Sequence, residues 1–280
     1  MSRGPAESWD GRLGGLKSVG KAQLHRCYTE VMGSIRAEFG GWIRRVAEGH
    51  GYRIVPAASD LEPEFRNILT RCSRDTMLSL EALYTLFSSS KYVVTNGIPG
   101  AIVQCGTWRG GSARLILETL RMSLDMNRDV YLYDTFEGMP QPGPEDRHGA
   151  TNEPATQIIH RHPSSGRWLS VPEQVVWSTV VASGYPTEKF RLIKGLVEET
   201  VPGTVPERIA LLHLDTDWYS STRHELVHLF PRLSTGGVIV IDDYGGWKGA
   251  RKATDEYFAS TGEAILLARV DWTCRVGVKA

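Results

Sequence analysis

No stretch of the 280-residue sequence approaches the ~18 consecutive apolar residues that a membrane-spanning helix needs. A membrane span is therefore not expected. Cysteine is scarce: Cys27, Cys72, Cys105 and Cys274 stand at wide, irregular intervals. No CxxC pair and no zinc-like spacing occurs, so a disulfide framework and a thiolate metal site are not expected. Reduced thiols fit a cytoplasmic protein. Residues 1–25 are polar and glycine-rich, without the apolar core of a secretory signal. The chain is expected to be soluble and cytoplasmic. An excess of either charge is also missing. The 32 Lys plus Arg balance the 32 Asp plus Glu, so nothing global steers the chain to nucleic acid or an anionic membrane.

The chain has 41% hydrophobic and 23% charged residues, the composition of a globular protein long enough to bury a full core. Residues 1–22 carry many glycines and are expected to be mobile. From Leu24 to about Gly49, Tyr28, Val31, Met32, Ile35 and Phe39 form one helical stripe. A second helix is predicted from about Asp75 to Asn96, capped by Ser73 or Asp75. The expected division is a tail and helical extension over 1–70 and one α/β domain over 71–280.

After Gly100 short apolar runs alternate with amphipathic stretches. Strands are predicted at Ala101–Cys105, Val130–Tyr133, Phe190–Ile193, Ile209–Leu214 and Val238–Ile241. Helices are predicted at about 112–126, 172–183, 220–233 and 248–260. This alternation implies a mostly parallel sheet with helices on both faces. Ala264–Val270 and Cys274–Val278 read as a closing antiparallel hairpin. Residues 137–171, rich in proline and glycine and carrying His148, His160 and His162, are too long for a simple connection. They read as a lid.

In an open α/β sheet, ligands bind beyond the carboxyl ends of the strands. The first predicted strand ends in Cys105-Gly-Thr-Trp-Arg-Gly-Gly-Ser112. Glycine lets backbone approach a ligand, and Ser112 can cap the next helix; a tight turn without a ligand would look the same. The second ends at Asp134, which can accept hydrogen bonds from a ribose diol or can simply form a turn. Together they suggest an adenosine-type cofactor, a nicotinamide or S-adenosylmethionine. The fourth and fifth strands end in Asp215-Thr-Asp217 and Asp242-Asp243. Crowded carboxylates repel and raise each other's pKa, and a hard cation such as Mg2+ removes the conflict. Asp215 and Asp217 share a strand face, so one can hold metal while the other stays free as a base. Helix capping is the competing explanation, although a cap needs one carboxylate, not two. Trp218, Tyr219 and Trp247 could stack on a sugar ring or pack in the core.

Four ordered segments, Val103–Ser112, Tyr133–Pro140, Leu214–Thr222 and Asp242–Ala250, resemble the macrocin O-methyltransferase family, which includes sugar O-methyltransferases of antibiotic pathways. The similarity spans roughly residues 70–260. It implies a Rossmann-like class I methyltransferase fold, with seven strands and the last antiparallel. It implies S-adenosyl-L-methionine as methyl donor and Mg2+ as metal. On this resemblance Asp215, Asp242 and Asp243 match the metal ligands, and Asp217 the general base. Thr76, Met77, Gln104, Gly106, Ser112, Asp134 and Asp215 fall at cofactor-binding positions, with Asp75-Thr-Met77 closing over the cofactor. Family members usually carry Glu where this chain has Gln104. The expected acceptor is a small hydroxylated molecule, a glycosylated natural product or sugar. Relatives are often dimers, so a homodimer is an expectation as well.

Three rivals make different demands. A metal-dependent glycosyltransferase would use Asp215 and Asp217 as an acid-x-acid motif and bind a nucleotide sugar. A nicotinamide oxidoreductase would ignore chelators. A non-catalytic binding protein would tolerate Asp217→Asn, although clustered charge is costly without a metal.

Overall fold

The computed structural model describes residues 60–161 and 168–280. The predicted helix over 24–49, the mobile segment 1–22, Cys27 and His162 lie outside the described residues. The chain divides into Met1–Ser59 and a compact unit Asp60–Ala280. The boundary expected at residue 70 falls within a helix of that second unit.

That helix, α1 (Pro63–Cys72), was not predicted from sequence. Its buried face is short: Phe65, Ile68 and Cys72. Phe65 packs edge-on against Tyr84 at 5.2 Å. Helix α2 (Leu80–Thr95) starts later than expected. Its cap is Ser79, whose Oγ accepts from Ala82 N at 3.0 Å, rather than Ser73 or Asp75. Asp75 serves elsewhere, its carbonyl accepting from Gly111 N at 2.8 Å.

The strands follow as β1 (Ala101–Cys105), β2 (Val130–Asp134), β3 (Phe190–Lys194), β4 (Ile209–Leu214), β5 (Leu233–Ile241), β6 (Ala268–Arg269) and β7 (Arg275–Val278). They form one seven-stranded sheet in the order β3-β2-β1-β4-β5-β7-β6. The first five are parallel, and β7 runs antiparallel to β5. The expected hairpin is present, with β6 shorter than its sequence suggests. Every residue of β4 is buried, as a central strand covered on both faces requires.

Helices α3 (Gly111–Met122) and α5 (Glu173–Val181) join α1 and α2 on one face. Helices α7 (Tyr219–Leu229) and α8 (Lys248–Thr261) cover the other with Leu226, Leu229 and Tyr257. Two short helices were unforeseen: α4 (Ala155–Arg161), inside the segment read as a lid, and α6 (Val197–Thr200), after β3. Side chains alternate along each strand, so Ile102 and Leu211 point to the first face while Val103 and Leu212 point to the second. No helix among the described residues is long and apolar enough to cross a membrane.

Candidate active site

A cavity of about 260 Å³ opens at the carboxyl ends of β1, β2, β3, β4 and β5. The turn after β1 forms its floor. Gly106 has φ +84°, and a Cβ there would lie 1.9 Å from the Asp215 carbonyl oxygen. The backbones after β1 and β4 therefore touch, and only glycine fits. Gln104 lies one step below, fully buried. Its Nε2 donates to the Gly106 carbonyl at 2.8 Å and to Ser112 Oγ at 2.7 Å. Gln104 is not among the cavity-lining residues; its contact with the site runs through the loop. Ser112 lies within α3, and the cap position belongs to Gly110. The capping role expected of Ser112 is thus corrected: its hydroxyl accepts from Gln104 and faces the cavity.

Asp134, at the end of β2, clamps the same turn. Its Oδ2 accepts from Thr107 N at 2.7 Å, Thr107 Oγ1 at 2.9 Å and Trp108 N at 3.1 Å. Its Oδ1 accepts from Phe136 N alone, at 2.8 Å, which leaves that oxygen acceptor capacity. Thr76 and Met77 also line the cavity. Their segment is held by the Arg109–Asp75 ion pair at 3.0 Å.

The carboxylates gather on the other side. Asp215 N donates to Cys105 O and Asp242 N to Leu214 O, each at 2.9 Å, so the ends of β1, β4 and β5 are fixed in a row. One ligand oxygen from each of Asp215, Asp242 and Asp243 lies within 4.8 Å of the others. Asp217 is not in that trio. It has φ +67°, an uncommon conformation for a residue with a side chain. Its amide donates to Asp243 Oδ2 at 3.2 Å, and Trp247 Nε1 donates to its Oδ1 at 2.7 Å. Beneath, Thr216 Oγ1 donates to the buried Glu225 at 3.0 Å. Burial first, and then the neighbouring carboxylates, raise the pKa values of Asp215 and Asp243. Burial likewise lifts Asp242 to about 7 and Asp217 to about 6, in the latter case against the Trp247 hydrogen bond. An all-oxygen trio with this electrostatic conflict fits a hard divalent cation.

Trp218 is fully buried. It packs edge-on to Trp247 at 4.9 Å and donates from Nε1 to Pro140 O at 3.0 Å. That corrects any stacking role for it: it belongs to the core. Tyr219 turns outward to Glu256. His148 sits against Trp247, centroids 5.9 Å apart, while His160 bonds its own helix at Thr156 O.

Sequence reasoning missed two contributors. Gly195-Leu-Val-Glu198 lines the cavity after β3; carrying the strand-end rule to β3 would have found it. Asp146 in the lid accepts from Tyr219 N at 2.8 Å and Gly143 N at 2.6 Å, binding the lid to the start of α7. No spacing pattern announces it.

This strand order, with its cavity over the parallel strand ends, is the class I methyltransferase fold. Residues 71–277 match the Macrocin-O-methyltransferase (TylF) family, and the chain belongs to it. It is an O-methyltransferase, which sets aside the glycosyltransferase, oxidoreductase and non-catalytic alternatives. It is 35% identical to a Streptomyces olivaceus enzyme, 8-demethyl-8-(2,3-dimethoxy-alpha-L-rhamnosyl)-tetracenomycin-C 4'-O-methyltransferase, over 71% of this chain and 73% of that one. It is 32% identical to demethyldecarbamoylnovobiocin O-methyltransferase of Streptomyces niveus, over 70% and 72%. Among solved structures, the O-methyltransferase NovP aligns with a TM-score of 0.64 at 27% identity, covering 74% of this chain and 82% of that one.

Proposed function

We propose that the protein transfers the methyl group of S-adenosyl-L-methionine to a sugar hydroxyl of a glycosylated natural product, with Mg2+ held by Asp215, Asp242 and Asp243 and Asp217 as general base. The observation that carries this reading is the placement of Asp217. Its carboxylate is oriented by Trp247 beside the three-carboxylate trio, at a cavity floored by a glycine turn. When bound, the cation supplies Lewis acidity toward the hydroxyl, and the sulfonium substrate brings an already activated methyl group.

The chain's own residues perform the rest. Gly106 and Asp134 shape the adenosyl side, with Thr76 and Met77 covering it. Asp217 accepts the hydroxyl proton as the methyl passes to the acceptor oxygen. The lid, bound to α7 through Asp146, excludes water and fixes orientation. The relatives' acceptors, a rhamnosyl tetracenomycin and a novobiocin precursor by their names, support a deoxysugar acceptor and a role in antibiotic biosynthesis. A homodimer in the cytoplasm completes the reading, and sedimentation tests the oligomeric state.

The test is calorimetry with S-adenosylmethionine, followed by turnover of an aryl deoxyhexoside such as 4-nitrophenyl α-L-rhamnoside with Mg2+ and with EDTA. Cofactor binding is expected, with methylation abolished by chelation. Asp217→Asn should lower kcat by about 10²–10⁴-fold, the scale of a general base, while S-adenosylmethionine still binds. Failure of the wild type to bind S-adenosylmethionine would sink the reading.

A further inference from the structure

Trp272 is 56% exposed and stands outside the cavity lining. It lies between β6 and β7, directly beside the turn that carries Asp242 and Asp243. A Cβ on Gly245 would lie 1.9 Å from the Trp272 carbonyl oxygen, and Gly245 N donates to Thr273 O at 2.8 Å. Asp271 Oδ1 accepts from Thr273 N at 2.8 Å and Cys274 N at 2.7 Å. Its Oδ2 accepts from Ser79 Oγ. That last bond ties the Trp272 loop to the segment carrying Met77, which lines the cavity and is 62% exposed.

From the lid side, the His148 ring stands 6.1 Å from Trp272 and 5.9 Å from Trp247. Trp247 in turn donates to Asp217. An aromatic row thus runs from the proposed base to Trp272, an exposed residue whose backbone is held by these contacts. A fixed aromatic surface binds a flat apolar partner with little ordering cost.

We propose that Trp272 is the stacking platform for the apolar ring to which the acceptor sugar is attached. This rests on the methyltransferase reading above. Charge favours a glycoside over a nucleotide-diphosphate sugar. Among the described residues, every charged side chain lining the cavity is a carboxylate, and none is Lys or Arg. Arg147 and Lys248, which flank the His148–Trp247 contact, both bond Asn152. A diphosphate calls for paired cations.

The full chain, with S-adenosylhomocysteine and MgCl2, is titrated with 4-nitrophenyl α-L-rhamnoside, methyl α-L-rhamnoside and dTDP-L-rhamnose, using saturation-transfer NMR. Saturation is expected on the nitrophenyl protons. Trp272→Ala should weaken the aryl rhamnoside by about 5-fold or more, the scale of one aromatic contact. Trp272→Phe should hold within about 2-fold on the same scale. S-adenosylhomocysteine affinity and the melting temperature should be unchanged in both variants, and the methyl glycoside indifferent to them. Unchanged aryl rhamnoside binding in Trp272→Ala overturns the proposal. Tighter binding of dTDP-L-rhamnose than of the aryl rhamnoside does so too, as does a variant that alters only sedimentation, which would make Trp272 a contact between copies. A wild type that binds S-adenosylhomocysteine but no aryl rhamnoside overturns the platform alone; one that fails to bind S-adenosylhomocysteine removes the underlying reading as well.

Discussion

A single missing side chain holds the site open. Gly106 has a backbone conformation that favours glycine, and its Cα faces the Asp215 carbonyl. A methyl there would have to displace the Asp215 backbone, because the atoms it meets first are that residue's carbonyl and not a flexible side-chain end. Gly106→Ala is therefore expected to do two things. It should lower stability by roughly 1–3 kcal/mol, the cost of overpacking a filled region. It should also weaken S-adenosylmethionine binding more than tenfold, since the displaced backbone is the cavity floor. Thermal melting and calorimetry read the two effects separately, and a variant with unchanged cofactor affinity would show that the floor is not where the cofactor lies. The carboxylates were legible for a similar reason. Paired aspartates at two strand ends are an electrostatic conflict visible in sequence, and Asp215, Asp242 and Asp243 do converge. The Asp217–Trp247 bond was not legible, because it joins side chains 30 positions apart across two turns.

At the scale of elements, α1 is fastened by charge as well as by packing. Glu118 of α3 has a side chain only 2% exposed; it pairs with Arg71 of α1 and with Arg114 at 2.9 Å. Burial would raise its pKa, but the two guanidinium groups outweigh burial and hold it below the usual value. A depressed carboxylate contributes stability that is complete above its unfolded pKa and lost as pH falls through its folded value. Glu118→Gln should cost about 1–3 kcal/mol at neutral pH, the range for breaking charged hydrogen bonds. The gap from wild type should close in acid, and urea melts at several pH values would show it. A gap independent of pH would mean that the ion pairs are not its source. The alternating strands and long helices were readable because periodicity marks them. Helices α1, α4 and α6 were not, since their buried faces hold three residues, one and one, too few to register a period. Asp146 went unseen because its partner, the Tyr219 amide, is supplied by tertiary folding alone.

Across the whole molecule, the sheet order places β4 between β1 and β5, and this placement brings the aspartates of two strand ends together. The fold thereby concentrates negative charge at its own centre, and this has a measurable consequence. Buried carboxylates with raised pKa values, Asp242 at about 7 and Asp217 at about 6, bind protons in the folded chain at pH values where the unfolded chain has lost them. Stability then falls as pH rises from the unfolded pKa through the folded ones. In EDTA the melting temperature should therefore decline between about pH 5 and 8. On the proposed function, Mg2+ would bind the ionised trio of the folded state and not the unfolded chain, so it would stabilise by mass action, and more at pH 8 than at pH 5. Differential scanning calorimetry at the two pH values, with EDTA and with MgCl2, separates the terms. A Mg2+-dependent rise in melting temperature that grows with pH supports the trio as the metal site. A rise equal at both pH values, or one that survives in Asp243→Asn, would show that the cation stabilises the protein from somewhere else.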